Sequence, residues 1–327
     1  MKRKLKRLAL VALAVLLGLV MVLVVVVEVL SRRTFDAPEP ELRASKDPAV
    51  VERGRYLAYG PAHCAGCHGP PEHITDGTLE GTPPLSGGFA YDSPMGVLHF
   101  PNLTPDEKTG IGRYSDGELS RMLRHGVKPN GEAQLPIMEY QNISDEDVVA
   151  LLSFLRSQKP IENPVPEHEL NFVGKAVKAF LVRPVGPSRA PGAKAPPEQP
   201  TLERGEYLAN RVAQCAGCHT QRDLTDFSFI GPRFAGGPQI EEPWAPDLTF
   251  VPPNLTPDEK TGHIVKWSEE QFVARFRAGP AIKGSPMDWK MFARMSDADL
   301  RAIYRYLMSL DPVENDTGPT VRPRKDG

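Results

Sequence analysis

The five residues CAGCH stand at 64–68 and again at 215–219, and together they use all four cysteines of a 327-residue chain. No thiol is left over for a disulfide framework. C-x-x-C-H is the attachment signal of c-type haem. Two thiols one helical turn apart can both form thioethers with the haem vinyl groups, while the adjacent imidazole is delivered to the iron. On this reading Cys64, Cys67, Cys215 and Cys218 hold two covalently bound haem c groups, and His68 and His219 are the proximal iron ligands. A zinc site would need a second pair of thiols or imidazoles about a dozen or more residues away. A thioredoxin-like redox pair would need βαβ surroundings. Neither is present in the sequence.

Working outward from the two words, the chain repeats itself. ERGRYLAYGPAHCAGCH (52–68) answers to ERGEYLANRVAQCAGCH (203–219), and PNLTPDEKTG (101–110) recurs letter for letter at 253–262. RYSDGELSRMLRHG then parallels KWSEEQFVARFRAG, and SDEDVVALLSFLRS parallels SDADLRAIYRYLMS. The order and spacing predict two similar domains, at 47–160 and 201–313. Each reads as short helices joined by long loops. Asp47-Pro48 and Thr201 look like N-caps of helices running to just before each CAGCH. Ser115 with Glu118, Ser268 with Gln271, Ser144 with Asp147 and Ser296 with Asp299 fit the capping pattern ahead of apolar runs. Gly126 and Gly279 sit where helix stops are expected. With four or five helices and no convincing strand, each unit is expected to be all-α. A unit of about a hundred residues this rich in proline loops buries a modest core, so a large apolar group should complete it.

The sixth iron ligand follows from the same symmetry. LPIMEYQNISDED and SPMDWKMFARMSDAD occupy matching places, so Met138 and Met287 correspond, each followed by an acid-aromatic pair. A thioether suits haem iron, and His/Met ligation raises its potential. The second stretch is three residues longer before its capping serine and holds Met291 and Met295, which makes Met291 the runner-up. Met122, beside Leu119 and Leu123, reads as core. His63, His73, His99, His125, His168 and His263 have no histidine counterpart in the other half and read as surface or loop residues. The PNLTPDEKTG segments are expected to wrap the haem. Pro101 and Pro253 could supply the carbonyls that accept from the ligand imidazoles. Thr104 with Glu107 and Thr256 with Glu259 equally fit a capping box. Arg113-Tyr114 and Lys266-Trp267 could face haem propionates or lie on a solvated surface.

Residues 1–33 are a separate object. Lys2, Arg3, Lys4, Lys6 and Arg7 precede a run of 23 apolar-rich residues from Leu8 to Leu30, close to the ~20 needed to cross a bilayer. The basic cluster should stay in the cytoplasm, which sends the rest of the chain outside. In a bacterium this is a single-pass inner-membrane anchor with haem domains in the periplasm. A cleaved signal peptide is the alternative, although the apolar run is longer than a signal core and no A-x-A-like site follows it. Glu28 reads as an interfacial residue.

Residues 161–200 form a linker with Pro-, Ala- and Gly-rich ends. In its middle Phe172, Val173, Ala176, Val177, Phe180 and Leu181 mark one face of a short helix, which either packs between the domains or meets the membrane surface or a partner. Residues 314–327 are expected to be a flexible tail. The formal charge is −2, but residues 1–33 hold seven Lys/Arg and one Glu, leaving 32 basic and 40 acidic side chains in the remainder. That exported part is acidic, which argues against nucleic acid as a partner.

CAGCH, NLTPDEKTG, P-x-M-acid-aromatic and the SD-x-DL-x-AIY-x-YL run resemble class I c-type cytochromes. The resemblance is closest to the multihaem cytochrome c subunits of membrane-bound periplasmic alcohol, aldehyde and gluconate dehydrogenases, and covers residues 47–313. It implies two tandem class I cytochrome c domains after the transmembrane helix. It also implies a non-catalytic electron-transfer role with redox partner proteins: a dehydrogenase, a quinol-oxidising complex or a terminal oxidase. Those subunits commonly carry three haems, whereas this chain has two CAGCH words. A haem-bearing terminal-oxidase subunit also pairs an anchor with two such domains. A dihaem enzyme of peroxidase or thiosulfate-oxidising type would need an open or differently ligated iron.

Overall fold

The computed structural model describes residues 2–75, 78–188, 190–223 and 228–324. The first helix, α1 (Lys2–Ser31), spans 30 residues, about 45 Å at ~1.5 Å per residue. Its side chains from Leu5 to Val26 are almost all exposed, and it is the one helix among the described residues long and apolar enough to cross a membrane.

Each half then builds the same small helical frame. In the first half, α2 (Pro48–Tyr59), α3 (Cys64–His68), α4 (Asp116–His125) and α5 (Asp145–Ser157) follow in order. The linker contributes α6 (Phe172–Phe180). The second half has α7 (Leu202–Tyr207), α8 (Cys215–His219), α9 (Glu269–Arg277), α10 (Trp289–Phe292) and α11 (Asp297–Met308). The caps read from sequence are the ones used. Asp47 accepts from Ala49 N–H, Thr201 from Arg204 N–H, Ser144 from Asp147 N–H and Ser296 from Asp299 N–H. Ser115/Glu118 and Ser268/Gln271 are complete capping boxes. Gly126 closes α4 at φ 62°, in the left-handed region open to glycine.

The first helix of each half stops short of CAGCH. Its chain leaves through one wide turn in which Ala62 N–H bonds to Leu57 O and Ala213 N–H to Leu208 O, five residues back in both cases. That break lets α3 and α8 start on fresh axes.

Within each half the first and last helices cross at a glycine. A Cβ on Gly54 would lie 1.8 Å from the Ala150 carbonyl oxygen, and one on Gly205 2.0 Å from that of Ala302. No side chain fits there, so α2 lies directly on α5 and α7 on α11.

The two halves are joined by a reciprocal exchange. Tyr56 of the first half donates to Asp299 Oδ2 (2.7 Å), and its oxygen accepts from Ser296 N–H (3.1 Å). Tyr207 of the second half donates to Asp147 Oδ2 (2.6 Å), and its oxygen accepts from Ser144 N–H (3.0 Å). Each aspartate is also gripped from its own half. Arg53 Nε donates to Asp147 (2.9 Å), while Arg204 holds Asp299 with two bonds of 2.7 and 2.8 Å. Arg204 and Asp299 are fully buried. One apolar cluster, including Leu57, Ile143, Leu152, Leu208, Phe234 and Leu300, runs through both halves.

Short strands decorate this helical frame, where none were expected. Ala90–Ser93 and Gly96–His99 form a hairpin to which Glu169–Leu170 adds. Val321–Pro323 of the expected loose tail pairs with Leu248–Phe250; residues 325–327 lie outside the described residues. The tail is drawn in by the loop it follows, because Asn254 donates to Val313 O (2.8 Å) and Asn315 N–H to Thr261 Oγ1 (3.0 Å). The start of the linker repeats this, with Asn102 donating to Ile161 O (2.7 Å) and Asn163 N–H to Thr109 Oγ1 (2.9 Å). Further on the linker is stitched to the start of α5, where Asp145 and Glu146 N–H donate to Gly192 O and Ala193 O. Its helix α6 packs on α1 and the first half's hairpin rather than between the two halves.

Arg204→Ala would leave Asp299 buried without its guanidinium, and equilibrium unfolding should show a loss of about 3–5 kcal/mol. Arg53→Ala should cost less, because the Arg53 side chain is 21% exposed and Tyr207 still serves Asp147. Gly205→Ala should separate α7 from α11, at a cost of about 1–3 kcal/mol or more in the same measurement.

Candidate functional site

α3 and α8 are five-residue helices made of the CAGCH words themselves. Each is entered through a left-handed residue, His63 at φ 36° and Gln214 at φ 51°. This sharp entry aims both cysteines and the histidine of each word at one cavity, of about 730 Å³, whose wall includes Cys64, Cys67, His68, Cys215, Cys218 and His219. Met138 and Met287 also line it. All eight residues singled out from sequence therefore share one space.

The histidines are held in a defined tautomer. His68 Nδ1 lies 2.9 Å from Pro101 O, and His219 Nδ1 lies 3.0 Å from Pro253 O. A carbonyl oxygen can only accept, so Nδ1 carries the proton and Nε2 keeps its lone pair. Burial lowers both imidazoles to about 4, which keeps them neutral. Burial also pushes the thiols of Cys64, Cys67 and Cys215 up to about 12. Such thiols are protonated at neutral pH, unlike the low-pKa cysteines of disulfide oxidoreductases. Among the described residues no cluster of three or more His, Cys, Asp or Glu side chains is arranged to hold a bare metal ion.

The repeated PNLTPDEKTG loop presents the proline carbonyl by burying its own polar atoms. Asn102 Oδ1 accepts from the backbone and the hydroxyl of Thr104, and Asn254 does the same for Thr256. Thr104 and Thr256 thus close a buried network and cap no helix, so the capping-box reading of these loops does not hold. Gly87 permits the close approach to the first loop, since a Cβ at its φ of 70° would lie 2.5 Å from the Pro101 carbonyl carbon.

The cavity is single because each methionine loop leans on the CAGCH helix of the opposite half. Asp288, next to Met287, sits against Gly66 of α3, where an added Cβ would be 2.5 Å from its Oδ2. Glu139, next to Met138, takes a two-pronged bond from Arg222, just past α8, at 2.8 and 2.7 Å. Trp244 crosses the other way, its ring meeting Phe89 and Tyr91 of the first half at 6.4 and 5.7 Å.

Not every residue read from sequence falls as expected. Met291 is fully buried in the apolar core and lies off the cavity wall, while Met287 lies on it. Met122, read as core, lines the cavity with Leu119 and Leu123, one helical face of α4. His63 and His263 are loop residues, as read, and they line it too. Arg113 stacks over Tyr114 at 4.8 Å and reaches Lys108 O, away from the cavity. Lys266 is exposed, whereas Trp267 is on the wall. The basic side chains on the wall are Arg222 and Arg275, the latter lying 3.7 Å above the Trp289 ring.

Sequence reading also missed two buried acids on the wall. Burial raises Glu242 and Asp288 to about 7, and Glu242 Oε2 and Asp288 Oδ1 have no hydrogen-bond partner. The acid-aromatic pair after each methionine was the visible signal for Asp288; nothing near Glu242 marked it. The donor set suits haem. Two thiols, a neutral imidazole with a free Nε2 and a thioether are present twice, among side chains such as Phe100, Leu103, Leu151, Leu255, Ile264 and Phe272.

Comparison with known proteins agrees with this chemistry. Residues 202–311 match the family model for cytochrome c. The chain is 30% identical over 279 residues to the cytochrome c subunit of alcohol dehydrogenase (quinone) from Gluconobacter oxydans, covering 82% of this chain and 56% of that protein. It is 30% identical over 293 residues to the gluconate 2-dehydrogenase cytochrome c subunit of Pantoea cypripedii, covering 85% of this chain and 63% of that protein. A diheme cytochrome c-type protein of Cereibacter sphaeroides is 27% identical over 285 residues, covering 84% of this chain and 90% of that protein. The chain thus spans little more than half the length of the two dehydrogenase subunits. Residues 202–311 are thus a cytochrome c domain, in a chain similar over more than four fifths of its length to cytochrome c subunits of dehydrogenases and to a diheme cytochrome c.

Proposed function

We propose that this protein is a membrane-anchored dihaem c-type cytochrome that carries single electrons from a dehydrogenase or other donor toward a terminal acceptor. One observation carries the reading: a single cavity walled by two repeats of thiol, thiol, carbonyl-locked imidazole and thioether. Cys64 and Cys67 would hold one haem and Cys215 and Cys218 the other, as thioethers. His68 with Met138, and His219 with Met287, would be the side chains that hold the iron of each haem. When bound, the haem supplies a one-electron Fe(III)/Fe(II) couple.

The chain's own residues then set the conditions of transfer. Pro101 O and Pro253 O keep the proton on Nδ1 and so keep Nε2 available. The apolar walls exclude water, and an imidazole and a thioether holding each iron would leave no place there for substrate, which favours a carrier over a catalytic role. Because each methionine loop leans on the other half's CAGCH helix, the two redox centres would share one compartment, and electrons could pass between them without leaving the protein. The domain limits this implies are 47–160 and 201–313, joined by the linker 161–200. α1 would be retained as a single-pass inner-membrane anchor, with Lys2 to Arg7 cytoplasmic and the haem units periplasmic. Relatives named as cytochrome c subunits of dehydrogenases support a dehydrogenase as donor.

The intact protein should exceed its amino-acid mass by two haem groups, and a mass equal to that of the bare polypeptide would end this reading. Met138→Ala and Met287→Ala should each remove about half of the methionine-sulfur-to-iron absorption band, whereas Met291→Leu and Met122→Leu should leave it whole. The reduced protein should bind CO slowly or not at all; rapid, stoichiometric binding would reveal an open iron and a catalytic role.

A further inference from the structure

The linker helix α6 carries apolar side chains that the protein leaves uncovered. Phe172, Val173, Phe180 and Leu181 are 49%, 59%, 45% and 40% exposed. Their neighbours on the helix are well anchored. Gly174 meets the Met95 carbonyl so closely that a Cβ would lie 2.2 Å from its oxygen, and Ala179 is buried. Val177 packs against a small core that includes Leu98, Leu135 and Val182. One side of α6 is therefore fixed to the body while apolar groups at both its ends face outward. Val173 and Phe180 are seven residues apart, two helical turns along one stripe.

The position of α6 says what covers that stripe. α6 packs against α1, and Lys175 Nζ bonds to Glu28 Oε2 at 2.6 Å. Twenty residues, Leu8 to Val27, match the ~30 Å hydrocarbon thickness. Glu28 is then the first polar group past the acyl chains, and α6 is held at that level. The chain leaving α1 is tied down as well: Phe35 N–H bonds to Gly131 O at 2.8 Å, and Glu132 beside it bonds to Lys178 of α6 at 2.7 Å. Arg32 and Arg183 are exposed at the same level, as suits cations near lipid phosphates. An amphipathic helix with a basic rim and an aromatic face lies in the boundary between headgroups and acyl chains.

We propose that α6 is a membrane-interface helix. Phe172, Val173, Phe180 and Leu181 enter the outer edge of the bilayer beside α1, making a second point of contact that fixes how the haem-bearing body sits over the membrane. The proposal rests on the anchor reading of α1, and the test separates the two. A photoreactive benzoylphenylalanine is placed singly at Leu17, Phe172, Phe180 and Lys108 of the full chain in phospholipid nanodiscs. After irradiation, adducts are identified by mass. Phospholipid adducts are expected at Leu17, Phe172 and Phe180 and not at Lys108, whose side chain is 75% exposed on a body loop. Lipid adducts at Leu17 but none at Phe172 and Phe180, or adducts there with a second copy of the chain, would overturn the interfacial helix while leaving the anchor intact. Loss of lipid adducts at Leu17 as well would remove the anchor and the proposal together.

Discussion

The architecture depends on a buried charge that cannot be left alone. Asp299 donates its backbone N–H to the N-cap Ser296 hydroxyl oxygen, and its carboxylate is then closed in by Arg204 of the same half and Tyr56 of the other. A fully buried carboxylate costs several kcal/mol unless its lone pairs are satisfied, and here satisfaction requires both halves to be docked. Asp147 poses the same demand with Tyr207 in reverse. The exchange makes the interface self-complementary, as in a twofold dimer, although both halves belong to one chain. Burial beside these carboxylates raises both phenols far above their ordinary range, so they remain donors.

The same geometry decides the site. The reciprocal tyrosines bring the CAGCH helices onto one cavity wall, where Gly66 is open to a charged group of the opposite half and Gly217 to one of its own half. Asp288 approaches Gly66 and Arg222 approaches Gly217, the latter already neutralised by Glu139. The cavity is continuous for that reason. Its polar members are few and largely paired, while its walls are apolar, which is the environment in which a carbonyl-locked neutral imidazole persists.

The long apolar helix α1 is integrated into this body and does not hang from it. α1 ends on an ion pair to α6, the exit strand is stitched to the loop at Gly131 and Glu132, and Lys178 ties that loop back to α6. Three short-range bonds thus transmit the direction of α1 to the first half, and the reciprocal tyrosines transmit it to the second.

Local features were legible in the sequence because their causes are local. The caps at Ser115, Ser144, Ser268 and Ser296, the stop at Gly126, the apolar run of α1 and the CAGCH words all act within a few residues of themselves. Repetition extended that reach, since a matching proline and acid-aromatic pair around Met138 and Met287 marked Met287 over Met291, and the recurring PNLTPDEKTG segments pointed to the proline carbonyls. What repetition could not express is contact between the halves. The exchange of Tyr56 and Tyr207, the Glu139–Arg222 pair, the cavity positions of Met122, His63 and His263, and the pairing of the tail with Leu248–Phe250 join residues dozens to hundreds of positions apart, through packing that no local pattern encodes. The sequence by itself determined which thiols, imidazole and thioether each half would present. Only the tertiary structure decided that both sets face one another, because that depended on how two buried aspartates found their partners.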